Sequence, residues 1–234
     1  MIRSGRIPAV LAAALLLMSN AGAKDPDNPT CPKEPNWGPA SPMKLTPVER
    51  DGKRVLLAEG VIDPVLPDRL YDVLSADETI EEVWVRSRGG DARAGNEAGK
   101  VIRELFLPTR IPSGWTCFSA CNFVFMGGLS REIEPGGIFM VHMFTHTGQR
   151  EVIAESVDKG TEDTVELIGE IEQLSALLAS EDNDFLIRMG LSRKLLTDIM
   201  YRQLATGGKG GDGERYCLSP AEALEYNVVN PPQD

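Results

Sequence analysis

An α/β fold with a mostly parallel sheet is the class this chain predicts. Two observations carry it. From Arg54 onward, short apolar runs alternate with segments of helical period. Hydrophobic residues at 42% and charged residues at 25% then supply one sizeable core. At 234 residues the chain fits one larger domain or two small ones, and no internal repeat divides it.

Residues 1–23 read as an address. Arg3 and Arg6 precede the apolar run Ala9–Met18, and Ala21-Gly22-Ala23 fits a small-x-small cleavage rule. The run is about half the ~20 residues a membrane-spanning helix needs. A signal peptide cleaved near Ala23 is therefore expected, with a periplasmic mature protein. Residues 24–50 form an extended leader rich in proline (Pro26, Pro29, Pro32, Pro35, Pro39, Pro42, Pro47), and the folded domain is expected over 51–234.

Within that domain, Arg54–Ala58 and Ile80–Arg86 read as buried strands, with a short helix over Pro67–Leu74 between them. Ala94–Phe106 has helical spacing through Ala98, Val101, Ile102 and Leu105. Thr109–Trp115 returns to strand character, Ser119–Met126 is a small apolar helix, and Gly137–Phe144 is another strand. Thr161–Ala179 is the clearest helix: Val165, Ile168, Ile171 or Leu174, and Leu178 make an apolar stripe opposite Glu162, Glu166, Glu170 and Glu172. A helix over Arg193–Leu204, a glycine loop over Gly207–Gly213, and a last helix over Pro220–Glu225 with Ser219 as N-cap complete the chain.

The net charge of −11 argues against a nucleic-acid partner, which calls for a basic surface. Four cysteines, Cys31, Cys117, Cys121 and Cys217, suggest up to two disulfides in an oxidising compartment, in any of three connectivities. Cys31 is placed to pin the leader to the body. Only His142 and His146 are available for histidine chemistry.

Three segments bear chemistry. Ser87-Arg88-Gly89-Gly90 runs from a strand end into paired glycines, where no Cβ blocks approach of backbone N–H groups to a carbonyl. Ser119, in Cys117-Phe118-Ser119-Ala120-Cys121, stands at a strand-to-helix junction, where free N–H groups and the helix dipole favour an oxyanion. His142, in Met140-Val141-His142-Met143, is the usual kind of base for a serine proton. Singly, each has a plain structural role: an N-cap, a turn, a core histidine.

Together and in this order they resemble the Clp protease proteolytic subunit, within the wider Clp/crotonase superfamily. Ser87-Arg88-Gly89-Gly90 resembles the family's Ser-Pro-Gly-Gly, and Met140–Met143 its strand bearing the base. Leu218-Ser219-Pro220-Ala221-Glu222-Ala223-Leu224-Glu225-Tyr226 resembles its Leu-Ser-Ala-Pro-Glu-Ala-(apolar)-Glu-Tyr segment. The resemblance spans about three quarters of the chain, Arg54 to Asn230, and implies a repeated ββα core. It implies peptide hydrolysis by a Ser-His-Asp triad, with Ser119 attacking, His142 taking its proton, and an oxyanion hole from Gly89, Gly90 and Ala120. It also implies self-association.

The acid departs from the family. Alignment on Leu218-Ser219 puts Arg215 where the aspartate belongs, with Asp212 and Glu214 as neighbouring candidates or neither serving. A further expectation is that Cys117 or Cys121 bridges to Cys217 and staples the active helix to the C-terminal segment. Export removes ATP, so no ATPase partner is expected, and the substrates are short or unfolded peptides. No cofactor and no metal are expected. Cys117-x3-Cys121 with His142-x3-His146 is a poor zinc set, because two histidines four apart on a strand stand about 13 Å apart at ~3.3 Å per residue. The expectation is an exported serine peptidase-like hydrolase, the alternative a catalytically inactive binding or assembly module of the cell envelope.

Overall fold

The computed structural model describes residues 23–143, 149–205 and 214–230. Residues 1–22 of the expected signal peptide, His146 and the glycine loop with Asp212 lie outside them. In chain order the elements are β1 (Lys44–Arg50), β2 (Lys53–Glu59), α1 (Leu66–Ala76), β3 (Glu82–Arg86), α2 (Ala92–Glu104), β4 (Thr109–Ile111), β5 (Thr116–Phe118), α3 (Cys121–Met126), β6 (Arg131–Ile133), β7 (Ile138–Val141), α4 (Arg150–Lys159), α5 (Thr161–Arg188), α6 (Lys194–Ala205), β8 (Tyr216–Cys217) and α7 (Pro220–Glu225).

The class is α/β, with mostly parallel pairing. One sheet has the order β1-β2-β3-β4-β6, and only its β1–β2 pair is antiparallel. A smaller sheet has the order β5-β7-β8, with β5 and β7 parallel. Parallel bridges Ile62↔Gly90 and Ser87↔Cys117 extend this second layer across the ends of β2 and β3. Strands β2, β3, β4 and β6 of the large sheet thus each feed a short segment of the second layer before the next helix. That is the repeated ββα arrangement, and it collects the second-layer segments around one edge.

Burial explains the sheet. Val55, Leu56, Ala58, Val83 and Val85 are fully enclosed, in runs too continuously apolar for a strand with one wet face. Helices α1 and α2 cover them through Leu66, Leu70, Leu74, Ala98 and Ile102. Contact between α2 and α3 is close because a Cβ on Gly95 would come 2.5 Å from Ala120 O. Helix α7 keeps its expected bounds, and Ser219 closes a capping box with Glu222.

Several expectations are corrected. The leader does not stay outside the fold: its last residues form β1, paired along its whole length with β2 through the Asp51-Gly52 turn, where both residues have positive φ. The strand expected over Thr109–Trp115 is two strands, β4 and β5. Pro112 and Gly114 (φ 75°) turn the chain between them, closed by Trp115 N–H donating to Pro112 O. Ser119 does not cap α3; it has φ 58°, and Ala120 stands at the cap. Helix α5 runs on to Arg188, and of the expected stripe only Leu178 is buried, while Val165, Ile168 and Leu174 are about half exposed or more. Helix α4 was not foreseen, since Ser156 is its one buried residue.

Candidate active site

Ser119 and His142 meet. Ser119 Oγ lies 2.7 Å from His142 Nε2, a hydrogen bond in which Nε2 accepts when Nδ1 carries the ring proton. Two elements make this contact. The parallel pair β5–β7 sets Phe118 opposite Met140, so each strand ends within two residues of its functional side chain. Asn122, in the first turn of α3, donates from Nδ2 to Met140 O at 2.8 Å and ties the helix to the histidine's strand.

Ser119 takes the left-handed conformation that a side chain adopts only at a cost of about 1–2 kcal/mol. The sharp turn raises its hydroxyl between the strand end and the helix. Cys117 and Cys121, two residues to either side, are bonded to each other across it. This corrects the expected staple: neither reaches Cys217, which is bonded to Cys31 instead. Both thiols of the rejected zinc set are consumed by the Cys117–Cys121 bond.

The paired glycines come up against this turn. A Cβ on Gly89 (φ 90°) would stand 2.8 Å from Ser119 Cβ and 3.1 Å from Ala120 N, so only glycine allows the approach. Gly90 is bridged to Ile62, and a Cβ there would run into Ile62 O. The Gly89 N–H, one of three expected oxyanion donors, donates instead to Ser87 Oγ at 2.9 Å. Gly90 and Ala120 remain as the backbone donors beside Ser119.

The acid candidates separate. Asp212 lies outside the described residues. Glu214 stands at the head of β8, whose antiparallel register pairs Tyr216 with Val141. Extending that register sets Arg215 opposite His142 and Glu214 opposite Met143. Arg215 itself is ion-paired with Asp25 at 3.0 Å, and its guanidinium lies 5.4 Å from the Trp37 ring. The Asp25 carboxyl is held below the usual carboxylate range chiefly by Asn28, with Asp27 N–H and Arg215 adding to the effect against partial burial.

Two cavities open from Ser119 and His142. One, about 370 Å³, has Trp37, Arg88, Gly90 and Arg215 in its wall. The other is about 260 Å³ and mostly apolar, walled by Phe123, Phe139, Leu178 and Leu195, with Asp182 and Asn122 as polar members. Burial pushes the Asp182 carboxyl up to about 6; the Asn96 hydrogen bond opposes this and Glu181 adds to it. Sequence reading missed Trp37, Phe118, Asn122 and Asp182 as candidate site residues, and met Arg215 only as the residue at the expected acid's position. Phe118 stacks between Trp37 at 5.6 Å and His142 at 4.7 Å, and the short span from Phe118 to Ser119 was the one signal in the sequence that pointed to it.

No family model matches the chain, and no curated protein matches it. Among solved structures it is similar to ClpP1 from Listeria monocytogenes, at 16% identity and TM-score 0.45 over 75% of this chain and 88% of that one. A point mutant of the same protein gives 17% and 0.46 over the same shares. A mutant of the 1510-N membrane-bound stomatin-specific protease gives 13% and 0.43 over 73% of this chain and 74% of that one. Likenesses this distant carry no functional inference, and what the chain can do follows from its own residues.

Proposed function

We propose that this chain is a serine peptidase-type hydrolase acting on short or unfolded peptides without ATP. The observation that carries the reading is the 2.7 Å contact of His142 Nε2 with Ser119 Oγ, at a turn that holds the serine left-handed beside Gly90 and Ala120. Ser119 Oγ attacks the peptide carbonyl carbon as its proton passes to His142 Nε2. The N–H groups of Gly90 and Ala120 hold the oxyanion. His142 then returns the proton to the departing amine, and water repeats the sequence on the acyl-enzyme. Glu214 or Asp212 orients the imidazole.

Export to the periplasm with loss of residues 1–23 belongs to the same reading, supported by the N-terminal pattern and by two disulfides. So does a homo-oligomer, supported by Val152, Val157, Val165 and Ile168 standing exposed on α4 and α5. The second reading, a catalytically silent envelope module, is favoured by Arg215 at the position where the resemblance puts an aspartate.

Fluorophosphonate labelling of the purified mature protein decides between them, with Ser119→Ala and His142→Ala alongside. An activated serine is labelled in the native protein and in neither variant. A folded native protein that takes no label under oxidising or reducing conditions leaves the silent module as the reading.

A further inference from the structure

The apolar cavity beside Ser119 takes Asn122 from α3 and Asp182 from α5 into its wall, with Ser175 and Asn183 of α5 as further polar members, and Asn96 of α2 backs Asp182. Asn122, 6% exposed, uses its Nδ2 on Met140 O, and its Oδ1 is buried without a hydrogen-bond partner. Asn96, 3% exposed, uses its Nδ2 on Asp182 Oδ1 at 3.4 Å, and its Oδ1 is likewise unpartnered. Among the described residues no cation pairs with Asp182. Arg93, three residues before Asn96 on α2, is paired with Glu181 at 3.3 Å.

A buried acceptor without a donor costs about 1–3 kcal/mol, and a carboxylate held by one long amide hydrogen bond has no cation beside it, so this cavity suits a donor that arrives with something else. The walls set the rest of the requirement. Phe123, Phe139, Leu178 and Leu195 offer only apolar surface, which suits an aliphatic stem. A group combining an unbranched aliphatic stem with a cationic head and several N–H donors is a lysine side chain.

We propose that this cavity is the specificity site of the hydrolase and that Asp182 selects lysine, or arginine after it, in the substrate residue whose carbonyl Ser119 attacks. The inference rests on the peptidase reading above and adds the substrate class to it. Asn122 helps by offering Oδ1 from the first turn of α3, three residues after the nucleophile.

The test is a matched pair of peptidyl diphenyl phosphonates identical except at the reacting residue, lysine in one and norleucine in the other. The two stems are alike in length and differ in the ammonium. The native protein is expected to react at least about tenfold faster with the lysine probe, the factor that a hydrogen bond to a charged group supports. Asp182→Asn, close in shape, is expected to erase or invert that ratio. Equal rates in the native protein, or a ratio unmoved in Asp182→Asn, overturn the inference while the peptidase reading stands. A native protein that reacts with neither these probes nor a simple fluorophosphonate overturns the peptidase reading and this one with it.

Discussion

At the scale of single residues, Asp182 does two opposed things. A carboxyl raised to about 6 in the folded chain binds its proton more tightly there than in the unfolded chain, where the ordinary value is 3.8. Its contribution to stability is therefore complete below about pH 4 and is lost as the pH climbs through about 6. The groups facing it are Asn96 from α2 and Glu181 on its own helix, and neither supplies positive charge. Asp182→Asn removes the titration. Melting curves at pH 5 and pH 7.5 are expected to show the variant gaining on the native protein by about 1–2 kcal/mol at the higher pH, allowing for partial exposure. A difference that stays constant with pH refutes the burial argument. The Ser119–His142 pair was legible because a serine at a strand-to-helix junction and a strand histidine occur in a recognisable order. Asp182 and Asn122 were not, since a lone carboxylate on an acidic helix and an asparagine after a cysteine acquire meaning only when α5 folds across α3. Nor does any local signal reveal that Gly89 N–H is consumed by Ser87.

At the scale of elements, the β5–α3 junction is the feature the chain works hardest to hold. Three contacts fix it: the β5–β7 pairing, the Asn122 anchor on Met140, and the Cys117–Cys121 bond around Ser119. A loop of this length gives a disulfide little entropic leverage, about 2 kcal/mol in the chain-entropy model. Its larger effect is on the turn, because Ser119 at φ 58° relaxes at a gain of about 1–2 kcal/mol once released. Replacing both cysteines by serine is thus expected to cost little in melting temperature and to slow fluorophosphonate labelling by about tenfold. Labelling at the native rate in that variant would show that the turn holds itself. Most helices were legible from period and caps, as α7 illustrates with Ser219 and Glu222. The strand misses have local causes: Pro112 and Gly114 break one expected strand in two, and β1 hides among prolines, with Pro47 at a position whose missing N–H the edge of the sheet tolerates. The stripe on α5 misled because amphipathic spacing says that a face is apolar, not what covers it.

At the scale of the whole molecule, the N-terminal leader is built into the wall of the site. Cys31 is bonded to Cys217 in β8, Thr30 Oγ1 accepts from Cys217 N–H at 3.0 Å, and Asn28 Oδ1 accepts from Arg215 N–H at 2.6 Å. Further along, Asn36 O accepts from Thr116 N–H at 3.0 Å, which lays the leader against β5. Trp37 then covers Phe118, which lies on the histidine ring. The covalent link spans 186 residues, and in the chain-entropy model closing a loop that long stabilises the fold by about 5 kcal/mol. That is a large share of the 5–15 kcal/mol typical of a native domain. Cys31→Ser with Cys217→Ser is accordingly expected to lower the melting temperature by about 10–20 °C, far more than loss of the Cys117–Cys121 bond. Loosening of the leader also frees Trp37, so its fluorescence should shift toward the solvent-exposed value before global unfolding, read against variants lacking Trp84 or Trp115. The ordering of the two disulfide variants is the decisive comparison. If the Cys117–Cys121 variant proved the less stable of the two, the leader would be an accessory laid on a self-sufficient domain, and the strap would have no part in holding the site.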